Sequence, residues 1–114
     1  MHLKALLAAA AILSSICGRA EAAPTITGND MLPACEHLID DENESGLFKQ
    51  GECIGLVIGV GVGAGVCVPP DATDGQAVRV MLDYMHKNPS RLNLQFTALV
   101  QASLLGAWPC SSPK

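Results

Sequence analysis

The chain has 114 residues and a formal net charge of −4, with 49% hydrophobic and only 16% charged residues. This length suits one small domain with a modest core. An acidic chain without a cluster of Lys or Arg argues against nucleic acid and anionic lipid as partners.

Residues 1–22 have the features of a secretory signal peptide: a positive start, an apolar middle at 5–16 and an Ala-Glu-Ala triplet before the cleavage point. We expect cleavage to leave 23–114 as the mature domain of an exported protein. Lipidation at Cys17 is the alternative, although the preceding isoleucine is larger than the residue such a site needs. The apolar stretch is too short to remain as a membrane anchor.

The first predicted helix begins near Asp30, which lies in the favourable first turn after a cap at Thr27 or Asn29. Its apolar face is formed by four residues at helical spacing: Leu32, Cys35, Leu38 and Ile39. A polar, acidic loop at 40–45 follows this helix.

Residues 41–52 come close to the twelve-residue calcium loop of EF-hands. Its ligand positions are matched by Asp41, Asn43, Ser45 and Glu52. Gly46 occupies the position of the sharp turn, whereas Lys49 departs from the pattern by placing a cation among the ligands. We therefore predict no metal and no other cofactor, and we keep calcium as the alternative.

The most apolar stretch of the chain is 53–67, a charge-free run with a cysteine at each end. Alternation of glycine with small apolar residues at 59–68 is typical of a strand. Glycines at 51, 55, 59 and 63 instead recur every four residues, which on a helix forms a groove that admits a neighbouring backbone. Because no partner strand is apparent, we predict a buried middle helix at 53–68, with the strand as the alternative.

Two further amphipathic helices complete the chain. A capping box at 73–76 opens the third helix, and Asn88 before Pro89 ends it. The apolar face of the third helix is formed by Ala77, Val78, Met81, Leu82 and Met85. We expect Ser90 to cap the fourth helix. Its inward face is formed by Phe96, Leu99, Val100, Leu104 and Ala107.

Four helices joined by short loops predict an all-α domain with antiparallel neighbours. Without the signal peptide the chain keeps an even number of cysteines, which in a small exported domain is typical of disulfides. In an up-down arrangement, Cys35 and Cys53 share one end, and Cys67 and Cys110 share the other. We therefore predict the disulfides Cys35–Cys53 and Cys67–Cys110.

No arrangement of catalytic residues is apparent in the sequence. The chain contains neither G-x-S-x-G nor H-E-x-x-H, and its glycine run has neither a dinucleotide fingerprint nor a Walker lysine. His37 follows Glu36, and His86 follows Asp83 by three residues, so each pair has the means to share a proton or a metal. Surface histidines near helix ends are the favoured interpretation, and we predict that the protein is not an enzyme.

Several short motifs follow one another in a specific order. They are Thr-Gly-Asn-Asp-Met-Leu ahead of Cys35, Gln-Gly-Glu-Cys53 with glycines at 55 and 59, Cys67-Val-Pro, Asp83-Tyr-Met with Asn88-Pro89, and Ala-Trp-Pro-Cys110. Together they resemble the Rap/Tai-type immunity proteins of type VI secretion, over nearly the whole mature chain. The resemblance implies a small, periplasmic, disulfide-bonded helical domain, often a homodimer, that binds and blocks a secreted peptidoglycan amidase.

On this basis we predict an immunity protein that occludes the active-site cleft of the toxin with an exposed loop or helix end. The candidate contacts, chosen from expected exposure, are Asp40, Asp41, Glu42 and Glu44 in one loop, and Asn88, Ser90 and Arg91 in another. The alternatives are a periplasmic stress chaperone of the acid-activated kind and an orphan helical binding module without a paired toxin.

Overall fold

The computed structural model describes residues 24–40, 46–63 and 65–111. These ranges contain four α-helices, α1 (Gly28–Asp40), α2 (Leu47–Gly61), α3 (Asp74–Lys87) and α4 (Phe96–Ala107), and a 3₁₀ turn at Pro89–Arg91. Within the described ranges there is no strand, and β-pairing is limited to two isolated bridges. The predicted all-α class is confirmed. The signal-peptide prediction lies outside the described residues.

Each helix contributes one apolar stripe to a shared core, and every helix contacts the other three. The side chains with no exposure to solvent are Met31, Cys35, Cys53, Val57, Val78, Met81, Met85, Phe96, Val100 and Leu104. The predicted apolar face of α3 is therefore confirmed, and so is that of α4 except at Ala107, which is exposed. No helix in the described ranges is long and apolar enough to cross a membrane.

Helix α1 is capped by Thr27 rather than by Asn29. The amide of Asp30 donates to Oγ1 of Thr27 at 3.4 Å. The Asp30 carboxylate in turn accepts from the amide and the hydroxyl of Thr27 at 2.8 and 2.7 Å. These hydrogen bonds, above all the one from the backbone amide, hold the pKa of Asp30 below its ordinary value. A reciprocal cap of this kind satisfies donors that a helix start leaves unpaired.

The second helix ends at Gly61, so the prediction that it continues to residue 68 is wrong. The strand alternative is not observed either, because 59–61 are helical and, among the described residues of 59–68, only Val66 makes a β-bridge, to Pro109. The chain turns at Gly65, whose φ of +76° favours glycine. The amide of Cys67 then donates to the Trp108 carbonyl at 2.9 Å. Pairing with the end of the chain therefore replaces the last predicted turns of helix.

The predicted burial of the whole middle helix is also wrong. Only Gln50, Cys53 and Val57 of α2 are buried, and they lie on one face. At the exposed positions Gly51, Gly55 and Gly59, no atom of a neighbouring element lies within 4 Å of the place that a Cβ would occupy. The predicted glycine groove is thus present but admits no backbone from the described part of this chain.

The start of α3 agrees with the capping-box prediction, since Oγ1 of Thr73 accepts from the amide of Gln76 at 3.1 Å. The prediction for α4 is wrong, because Ser90 lies in the 3₁₀ turn and α4 begins only at Phe96. No side chain caps this helix. Instead, the amide of Phe96 donates to the carbonyl of Ile26 at 2.8 Å. The segment ahead of α1 therefore supplies the hydrogen-bond acceptor for the first amide of α4.

Both predicted disulfides are present. Cys35–Cys53 joins α1 to α2 with a Cα–Cα distance of 5.6 Å, and Cys67–Cys110 joins the loop after α2 to the segment after α4 with a distance of 4.9 Å. The first pair is buried in the core and the second is exposed. Cys67 had been expected to lie at the end of a helix, but it lies in the loop after α2. The β-bridge between Val66 and Pro109 brings Cys67 close to Cys110.

Candidate partner-binding surface

A polar contact joins the C-terminal parts of α1 and α3. Nε2 of His86 lies 2.7 Å from a carboxylate oxygen of Glu36, and both side chains are partly exposed. Lys87 pairs with Asp83 at the same distance. The sequence had placed His86 beside Asp83, but packing of the helices brings His86 to Glu36, and Asp83 pairs with Lys87 instead. Both histidines carry exposed side chains near helix ends, as the favoured interpretation expected.

The first predicted contact loop begins where α1 ends. Asp40 is the last residue of this helix, is exposed, and lies one turn beyond Glu36. The other members of this loop, Asp41, Glu42 and Glu44, lie outside the described residues. Asp40 is therefore the only residue of this predicted loop whose exposure the structure describes.

The second predicted contact loop contains one residue with a structural role. Asn88 is half-buried, its side-chain amide donates to the Tyr84 carbonyl at 2.8 Å, and its backbone amide caps the end of α3. Ser90 and Arg91 are exposed on the 3₁₀ turn. The Arg91 guanidinium lies 5.9 Å from the centre of the Tyr84 ring, within the range of a cation–π contact. Asn88 thus shapes the turn that presents Ser90 and Arg91.

The second loop runs along α1. Its beginning is tied to Glu36 through His86, and at its far end the Leu92 carbonyl accepts from the amide of Asn29 at 2.8 Å. These two anchor points are separated by about 10 Å along the axis of α1. Asp40 lies beyond the first anchor point and Arg91 lies near the second. Asp40 and Arg91 therefore lie towards opposite ends of α1.

The described residues do not form a metal site. They contain no group of three or more His, Cys, Asp or Glu side chains placed to hold an ion. Glu52, the last ligand of the calcium pattern, instead accepts from Nζ of Lys49 at 2.9 Å. Asp41, Asn43 and Ser45 lie outside the described ranges. In the described part of the calcium pattern, the carboxylate of Glu52 is thus paired with Lys49, the residue that departs from the pattern.

A cavity of about 340 Å³ between α2 and α4 is open to solvent and is lined by Gly59, Val60, Gly63, Gln95, Thr97, Ala98 and Gln101. None of these side chains is an acid, a base or a strong nucleophile at neutral pH. Its volume is at the lower limit of small-molecule sites. The cavity therefore has no grouping that would support general acid–base chemistry.

Four packed helices, joined by two disulfides, define a small helical domain. The family model of Rap1a immunity proteins matches residues 27–110. The chain belongs to this family, which confirms the resemblance that the motifs indicated. No curated protein and no solved structure matches the chain.

Sequence reasoning missed one surface feature. Phe48 and Val62, at the two ends of α2, are each 83% exposed, and Leu47 is 60% exposed. The signal was present, because residues 48, 55 and 62 recur at a spacing of seven and so lie on one face of a helix. The interpretation of the whole run as buried concealed it.

Proposed function

We propose that this protein neutralises a secreted peptidoglycan amidase by covering its active-site cleft, and that it has no catalytic activity of its own. The observation that carries this proposal is the match of the family of immunity proteins to residues 27–110. We infer that the protein acts in the periplasm, after export directed by residues 1–22, against an effector of type VI secretion. Two disulfides are typical of such an oxidising compartment.

The disulfides support tight binding by limiting how much the surface must reorganise. Cys35–Cys53 holds α1, which leads into the acidic loop, against α2. The pairing of Asn88 with Tyr84 holds the second loop. An inhibitor that is already ordered loses less conformational entropy when it binds.

We assign different roles to the two predicted loops. We assign entry into the cleft to the acidic segment that begins at Asp40, because in the sequence it connects two helices and carries Asp41, Glu42 and Glu44. Ser90 and Arg91 are exposed and suited to direct contact, whereas Asn88 positions them. Arginine is the residue of this set that most often dominates an interface.

The test is inhibition of the amidase encoded beside this protein, measured as release of peptidoglycan fragments with increasing amounts of the purified, oxidised domain. We expect stoichiometric inhibition, and Arg91→Glu should raise the inhibition constant by about tenfold or more. Arg79→Glu is the matched control, because it makes the same charge change at an exposed position of α3, away from the second loop. Full amidase activity in the presence of excess protein would contradict the proposal.

The same preparation separates this function from that of an acid-activated chaperone. A chaperone would suppress aggregation of an unrelated unfolded protein near pH 3 and would show no preference for one enzyme. An immunity protein inhibits its amidase at neutral pH and leaves the aggregation of unrelated proteins unchanged. The two outcomes do not depend on each other, so each assay can reject one of the alternatives.

A further inference from the structure

The disulfide Cys67–Cys110 lies at the surface of the domain. Both of its cysteines are exposed, whereas Cys35 and Cys53 have no exposed surface. Thiol–disulfide exchange requires a thiolate to reach a sulfur atom, and exposed disulfides are accordingly the labile and regulatory ones. The two disulfides of this domain are therefore suited to different roles, one structural and one open to exchange.

The two segments that this disulfide joins lie outside the core. No described residue between Val57 and Ala77 is buried, and no described residue after Leu104 is buried. The disulfide Cys35–Cys53 ties α1 to α2 within the core itself. Opening of Cys67–Cys110 should therefore remove no fully buried side chain from its place.

Without the disulfide, only a short pairing of the backbone holds these two segments together. The Cys67 amide donates to the Trp108 carbonyl at 2.9 Å. The Cys110 amide donates to the Gly65 carbonyl at 3.2 Å, and a single β-bridge lies between these two hydrogen bonds. Even a complete two-stranded hairpin is at best marginally stable in water, so a pairing this short depends on the covalent bond.

The paired segments cover apolar surface of the core. Val66 and Trp108 are half-buried and pack against the buried cluster. Val68, on the same segment as Val66, lines a cavity of about 110 Å³ together with Leu104 of α4. Separation of the segments would therefore expose these side chains and the apolar surface beneath them.

We propose that Cys67–Cys110 is a redox-sensitive switch, opened by a dithiol such as the reduced active site of a thiol oxidoreductase. Its opening frees residues 62–68 and 108–111 and exposes the apolar surface beneath them, while Cys35–Cys53 keeps the four helices folded. This inference does not rest on the proposed amidase, because it concerns the protein alone.

The exchange takes place in two steps. A thiolate of the dithiol attacks one sulfur atom of the pair, so that a mixed disulfide forms, the Cys67–Cys110 bond breaks and the other cysteine leaves as a thiolate. The second thiol of the dithiol loses its proton, attacks the mixed disulfide and displaces the remaining cysteine. The protein gains two electrons and two protons, and the dithiol is oxidised to a disulfide.

Graded reduction of the oxidised protein with dithiothreitol tests the proposal. The readout is the fluorescence of Trp108, the only tryptophan of the chain. When alkylation shows that Cys67 and Cys110 alone have opened, we expect the emission to shift to longer wavelength and the binding of an apolar fluorescent dye to increase. The far-UV circular dichroism should retain the helical signal of the oxidised protein.

The double variant Cys67→Ser, Cys110→Ser imitates the open switch without a reductant. It should show the shifted emission from the outset, should still unfold cooperatively, and should not respond to the reductant concentration that opens the switch in the natural chain. Unchanged emission after selective opening would overturn the proposal. Loss of the helical signal together with the shift, or opening of Cys35–Cys53 at an equal or lower reductant concentration, would overturn it as well.

Discussion

Gly28 lies so close to Leu99 that a Cβ at position 28 would come within 2.6 Å of Cδ1 of Leu99. The same Cβ would lie 2.9 Å from the carbonyl oxygen of Leu92. The amide of Gly28 also donates to the Leu94 carbonyl at 3.0 Å. The start of α1, the segment ahead of α4 and α4 itself therefore meet at a point where only glycine fits.

This contact predicts that Gly28→Ala destabilises the protein. The backbone oxygen of Leu92 cannot move without disturbing the hydrogen bond that it accepts, so the free energy of unfolding should fall by about 1–3 kcal/mol. Urea unfolding of the oxidised protein measures the change. Gly106→Ala is the control and should raise the same free energy by up to about 1 kcal/mol. Unchanged stability in Gly28→Ala would contradict the packing described for this position.

The cap of α1 predicts a pH dependence. The hydrogen bonds from Thr27 hold the pKa of Asp30 below its ordinary value in the folded state. The stabilisation they provide is fully present above the pKa of the unfolded chain, about 3.9, and is lost as the pH falls through the lower folded value. Asp30→Asn should therefore lower the melting temperature at pH 7. The difference between the two melting temperatures should shrink as the pH falls below the ordinary pKa of an aspartate, and a difference that does not vary with pH would contradict the prediction.

The two disulfides differ in exposure, which predicts an order of reduction. Cys35 and Cys53 have no exposed surface, whereas Cys67 and Cys110 are exposed. A thiolate must reach a sulfur atom to exchange with it, so limiting reductant should open Cys67–Cys110 first. Alkylation and peptide mass mapping at increasing concentrations of reductant measure the order. The prediction would be contradicted if Cys35 and Cys53 were labelled in the folded protein as fast as Cys67 and Cys110.

The contact between Glu36 and His86 should contribute little to stability, because solvent reaches both side chains. A double-mutant cycle with Glu36→Gln and His86→Gln should give a coupling energy of about 0.2–1 kcal/mol at low salt, and less at high salt. The end of α3 is set by Asn88 and Pro89 and should not move in either variant. A coupling energy that is large and insensitive to salt would contradict this account.

Local patterns were sufficient for the features that depend on residues close together in sequence. The cap at Thr73 follows from the local sequence, which places Gln76 three residues after a threonine. The apolar faces of α3 and α4 follow from helical periodicity. The disulfide Cys35–Cys53 lies between consecutive helices, so few arrangements of the chain were available to it. The family resemblance likewise follows from ordered motifs and is confirmed by the family match.

Tertiary contacts decided the features on which the sequence analysis was wrong or incomplete. Helix α2 ends at Gly61 because the following segment pairs with Trp108, and α4 begins at Phe96 because its amide finds the carbonyl of Ile26. The contact between Glu36 and His86 likewise depends on how α1 packs against α3. Each of these contacts joins residues at least forty positions apart. The propensity of a local segment carries no information about such partners.

The sequence by itself determined that this is a small, disulfide-bonded helical protein of an immunity family, because helix periodicity, cysteine number and ordered motifs are properties of the chain alone. Only the tertiary structure decided which apolar residues are buried. The apolar run of α2 has more nonpolar surface than the three neighbouring helices cover, so one face packs against the core and the face with Gly51, Gly55 and Gly59 remains exposed. Burial depends on how many sides of a helix are covered, and composition does not specify that number.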